Sequence, residues 1–117
     1  LLLMLYDAEV RNLEKARIAL DEKDYDAVHR HLVRAQDIIL ELMCSLNMDY
    51  EISKSLFSLY EYLHYQLVQA NIKKEKLLVE EVLSFVIELR ATWQEAIARV
   101  NSTRTSQAGA KSLDAKG

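Results

Sequence analysis

Two short spacings in this chain have the form of metal-ligand pairs. Glu61-Tyr62-Leu63-His64 sets a carboxylate and an imidazole three residues apart, the separation that turns both ligands to one face of a helix in di-iron bundles. Such a centre needs a second Glu-x-x-His on another helix and two further inward carboxylates. The nearest counterpart, Asp26-Ala27-Val28-His29, begins with aspartate. Helical periodicity also places Glu61 about opposite the core stripe. The ligand set is incomplete, so neither a metal nor any other cofactor is expected.

His29-Arg30-His31-Leu32 raises phosphoryl transfer, because histidine phosphotransfer domains are four-helix bundles carrying an exposed histidine. There the histidine is followed by a Leu-Lys-Gly-type stretch whose small residue leaves room for the phosphate, and neither histidine here has it. By periodicity His31 falls on the core side as a packing residue, which leaves His29 as the residue of the phosphotransfer alternative. Cys44 is the single cysteine; with no base beside it, it reads as a small apolar residue, and a lone cysteine suits a reducing cytosol. There is no glycine-rich phosphate loop and no nucleophile elbow. No catalytic residue is expected, and the chain reads as a binding protein rather than an enzyme.

The elements that would carry these residues are helices. Proline is absent, and the two glycines, Gly109 and Gly117, stand in the last nine of the 117 residues. Apolar residues recur at the helical step in four stretches. The first, about Leu1 to Leu20, lines up Leu2, Tyr6, Val10, Leu13 and Leu20. The second, about Tyr25 to Leu46 with Asp24 as its N-cap, lines up Val28, Leu32, Ala35, Ile39, Leu42 and Leu46. The third, about Ile52 to Asn71, carries Ile52, Leu56, Leu59, Leu63, Leu67 and Ala70. The fourth, about Glu75 to Val100, carries Leu78, Val82, Phe85, Leu89, Trp93 and Ala96. Short polar breaks between them predict an all-α, antiparallel, up-down-up-down four-helix bundle over residues 1–100, with residues 101–117 as a flexible C-terminal tail. No segment approaches the length of a membrane span, and the opening Leu1 to Leu5 run lacks the flanks of a signal peptide. A net charge of −3 gives no attraction toward nucleic acid or anionic membrane.

Three helices carry more apolar surface than one core stripe needs. The surplus is Val33, Leu40 and Met43 on the second, Phe57, His64 and Val68 on the third, and Val79, Leu83 and Val86, with Ile97, on the fourth. Monomers seldom leave such patches in water. These residues apart from Ile97, together with Tyr60, are the expected partner-binding set. Met4 and Ile18 similarly fall on the polar side of the first helix, and Tyr62 and Tyr65 point to solvent.

Several stretches, taken in order, resemble the flagellar export chaperones of the FliS type. They are Leu2-Leu3-Met4-Leu5-Tyr6-Asp7; Ala35-Gln36-Asp37-Ile38-Ile39 leading to Leu42 and Leu46-Asn47; Leu59-Tyr60-Glu61-Tyr62; Leu67-Val68-Gln69-Ala70-Asn71; and Leu89-Arg90 with Trp93 and Ala96. The resemblance implies a cytoplasmic chaperone that binds the disordered C-terminal segment of flagellin as helices in grooves on the bundle, prevents premature polymerisation, and delivers the client to the type III flagellar export gate. Two departures accompany it. The chain begins inside what the family uses as helix one, without the N-terminal arm that in relatives covers the client groove, and Ala8 stands where many relatives have glycine. A third reading is structural: spare apolar faces would let the bundle self-associate weakly.

Overall fold

Asp24 fixes one helix start through its side chain, which accepts from the Ala27 amide at 3.2 Å, supplying one of the acceptors that a helix N-terminus lacks. The computed structural model describes the backbone of residues 1–116 and the side chains of residues 1–105. Among the described residues there are four helices, α1 (Leu2–Asp21), α2 (Tyr25–Cys44), α3 (Glu51–Lys73) and α4 (Lys76–Lys116). Lysines close two of them. Lys23 and Lys74 adopt φ of 58° and 51°, the left-handed setting that glycine usually fills at a helix end. The Asp24 amide then bonds back to the Ala19 carbonyl at 2.9 Å, and the Glu75 amide to the Ala70 carbonyl at 3.2 Å.

Each helix packs on its sequence neighbours and α1 closes the ring against α4. Side-chain pairs fix the directions. Asp7 near the start of α1 meets Arg90 further along α4, while Asp21 at the end of α1 meets Lys76 at the start of α4 at 2.9 Å. His29 early in α2 meets Asn71 late in α3. Adjacent helices are therefore antiparallel, the up-down-up-down arrangement expected.

Toward one end of the bundle the core is aromatic. Tyr6, Tyr60 and Trp93 arrive from α1, α3 and α4, and the Tyr6 hydroxyl accepts from the Trp93 indole at 3.1 Å while sharing a hydrogen bond with the Tyr60 hydroxyl. Burial, reinforced by the Tyr60 bond, pushes the Tyr6 phenol far above its usual range; burial also raises that of Tyr60. Both stay neutral. The aliphatic part of the core includes Leu13, Val28, Leu32, Ile38, Ile39, Leu42, Leu63 and Leu67, all without exposed surface. Trp93 is half-buried, so truncating it to Ala should cost about 2 to 3 kcal/mol, below the range for a fully enclosed aromatic. Trp93→Phe should cost only about 1 kcal/mol for the lost indole donor. Urea unfolding of the two variants checks both values.

Three placements differ from the sequence reading. α4 turns a different line inward: Val79, Val82, Leu83 and Val86 are buried, whereas Phe85 is 37% exposed and Ala96 is also exposed. Ile52 is 63% exposed, because α3 begins at the open end of the bundle and the buried neighbour there is Ser53. The helical backbone of α4 runs past Val100 through residues 101–116, since no proline interrupts it; the side chains of residues 101–105 are exposed. The side chains of residues 106–117 and the backbone of residue 117, on which most of the expected tail falls, lie outside the described residues.

Candidate functional site

Placing the expected partner-binding residues divides them in two. Tyr60, Val79, Leu83 and Val86 are between 0 and 6% exposed and belong to the core, which corrects their assignment to an outer face. The physical reason is the ring packing. α4 is pressed between α1 and α3, so its buried arc must span both contacts, and the residues that seemed to exceed one stripe are those that fill the second. Tyr60 is inward because its hydroxyl has a buried partner in Tyr6.

The remaining residues lie along the junction of α2 and α3. Leu40, Met43, His64 and Val68 line one open cleft of about 290 Å³ with Glu61, Tyr65 and Gln69. Leu40 is 44% exposed, and Met43, His64 and Val68 are half-buried. Val33 and Phe57 are half-buried too. Val33 stands seven residues before Leu40 and Phe57 seven before His64, so each repeats the face of its cleft neighbour. Because α2 and α3 run antiparallel, Val33 and Phe57 extend the apolar floor beyond opposite ends of the cleft. The result is a groove along two helices, floored by aliphatic and thioether groups and rimmed by Glu61 and Gln69.

A second hollow went unread in the sequence. At one end of the bundle, Leu1, Leu2 and Leu5 of the first helical segment face Leu46, Leu56 and Trp93 around a cavity of about 450 Å³. Leu2, Leu46, Leu56 and Trp93 were all assigned to core stripes. The signal available was the density of leucine at the ends of three helices, where the ring of neighbours is incomplete. On the α3–α4 side, Tyr62 meets Phe85 edge to face at 6.3 Å and bonds Glu81, which holds its phenol above the usual range, with burial a lesser cause.

The candidate chemistry disperses. Glu61 is exposed on the rim and His64 lies in the apolar cleft, and no three metal-ligating side chains gather among the described residues. His29 is exposed and hydrogen-bonds Asn71 at 2.9 Å. His31 is half-buried, and burial, then Lys15 and Arg30, hold its imidazole below the usual range. Cys44 is an exposed free thiol at the end of α2. No helix among the described residues is long and apolar enough to cross a membrane.

Comparison with known proteins gives one consistent result. The family described as flagellar protein FliS matches residues 1–100. A flagellar secretion chaperone FliS of Bacillus subtilis is 35% identical over 93% of this chain and 82% of its own length. Its counterpart in Salmonella typhimurium is 31% identical over 79% of this chain and 70% of its own. The one in Vibrio cholerae is 24% identical over 91% and 79%.

Proposed function

Because the chain belongs to the flagellar protein FliS family, whose curated relatives are flagellar secretion chaperones, we propose that it binds the C-terminal segment of flagellin in the cytoplasm. There it keeps the client from polymerising and carries it to the flagellar type III export apparatus. The observation that supports this reading is the α2–α3 groove. Leu40, Met43, His64 and Val68 line it from outside the fully buried core. An amphipathic helix laid along such a groove buries its apolar face at positions one and two turns apart, matching the seven-residue repeat of Val33 with Leu40 and of Phe57 with His64. A segment disordered when free must order itself on binding, at a cost of about 2 to 5 kcal/mol. Extended apolar contact can offset that, and a few rim hydrogen bonds cannot. Side chains of the same wrapping segment would fill the bundle-end cavity of about 450 Å³.

The test is calorimetric titration of the chain with flagellin and with flagellin lacking its C-terminal segment. Only the first should bind. Leu40→Asp combined with Val68→Asp should weaken binding more than tenfold while helical content stays native. Unchanged affinity in a folded double variant would reject the groove, and equal binding of the truncated flagellin would reject the client segment.

A further inference from the structure

A carboxylate sits in the core. Glu9 of α1 has no exposed surface, and neither carboxylate oxygen has a hydrogen-bond partner, an arrangement native cores rarely keep. α1 meets the rest of the protein through α2 and α4, and among the described residues neither supplies a counter-charge in contact. From α2 the cation whose field reaches Glu9 is Arg34, whose side chain is 56% exposed and lies 4.0 Å from Glu41, pairing outward. From α4 the cation meeting this end of α1 is Arg90, held by Asp7. α3 contributes the Tyr60 hydroxyl, engaged by Tyr6. Burial accordingly pushes the Glu9 carboxyl up to about 9, against the weaker pull of Arg34.

The attachment of α1 is weak where it is polar. Two of its polar links to α4, Asp7 with Arg90 and Asp21 with Lys76, are partly exposed ion pairs, a class that contributes little, and the other is the Tyr6–Trp93 hydrogen bond. Its junction with α2 is three residues, Glu22 to Asp24, with Lys23 at a φ of 58°, a setting that costs a residue bearing a Cβ some strain. We propose that α1 is a pH-sensitive flap, hinged at Glu22 to Asp24 and released from α2 and α4 when the Glu9 carboxyl loses its proton. At low pH the neutral acid is tolerated among apolar side chains. As pH rises, the carboxylate gains more from water than the closed core can give it, and α1, joined to α2 through the turn at Lys23, is the element that carries it. Release uncovers the apolar faces of α2 and α4 that α1 now shields. This device is independent of the α2–α3 groove, so its test involves no client.

Hydrogen–deuterium exchange of the full chain between pH 6 and 9, corrected for the intrinsic pH dependence of exchange, reads the flap directly. Protection of amides in the middle of α1, around Leu13, is expected to fall about tenfold per pH unit. By pH 8 it should lie at least tenfold below that of amides in the middle of α2 and α3. In Glu9→Gln the slope in α1 should vanish, and Glu9→Leu should behave alike. Equal protection of α1, α2 and α3 at pH 8 would overturn the proposal, because the bundle would then open only as a whole. Persistence of the slope in both variants would overturn it as well, by moving the titrating group elsewhere.

Discussion

Val86→Asp should abolish the folded state, while the same charge placed at Leu40 should leave the bundle intact. Val86 has no exposed surface and sits where α4 is wedged between α1 and α3. An aspartate there is an unpaired charge in an apolar site, with the packing of the valine lost as well. Together these cost about 4 kcal/mol or more, against a total stability of about 5 to 15 kcal/mol for a domain of this kind. Leu40 is 44% exposed, so its aspartate stays hydrated and should shift stability by no more than about 0.5 kcal/mol. Far-UV circular dichroism with urea titration separates the two: Leu40→Asp keeps a cooperative transition near the parent midpoint, and Val86→Asp loses it or begins it at very low denaturant. A native midpoint for Val86→Asp would mean that α4 turns another face inward.

The contrast between these two valine and leucine positions also shows how far the sequence could be read. The second helix was legible in phase because its apolar residues fall into two separate groups. Val28, Leu32, Ala35, Ile39 and Leu42 form one face, all buried, while Leu40 stands apart and is exposed. In α4 the apolar residues are contiguous around a wide arc, Leu78 and Val79, Val82 and Leu83, Phe85 and Val86. Periodicity alone then fixes no unique inward line. The phase is set by the two neighbours that grip the helix, and tertiary contact is not written in local spacing. Tyr60 failed for a related reason, since its hydroxyl is satisfied by a residue 54 positions away. The helix boundaries were better marked, above all at Asp24, where the capping side chain acts within three residues. Glu9 drew no reading from the sequence, because two signals conflict there. Its spacing from Tyr6, Leu13 and Ala16 is that of a core position, its type is that of a surface residue, and the fold follows the spacing.

Glu9 should make this protein less stable as pH rises across the neutral range, and removing its charge should reverse the loss. The folded-state pKa is raised, from an ordinary value of 4.5 to about 9. The folded chain therefore holds a proton that the unfolded chain releases. The stability that goes with that proton is fully present below about pH 4.5 and drains away as pH rises toward 9, at about 1.4 kcal/mol per pH unit. At pH 7.5, three units above the unfolded value, the accumulated loss is on the order of 4 kcal/mol. His31 works the other way. Burial lowers its pKa, so its contribution is present above the ordinary imidazole range and lost as pH falls into it. Measurements from pH 7.5 to 8.5 thus see Glu9 with little interference from His31. Glu9→Gln should flatten the slope there but keep an unpartnered amide in the core, at about 1 to 3 kcal/mol. Glu9→Leu removes both the titration and the orphaned polar group, and should be the more stable variant at every pH above 6. Urea midpoints of the three proteins at pH 5.5, 7.5 and 8.5 decide the matter. If the parent's midpoint holds steady from 5.5 to 8.5, or Glu9→Leu is no more stable than the parent at pH 8.5, the carboxyl has found water or a cation that relieves it, and α1 has no reason to be the element that opens.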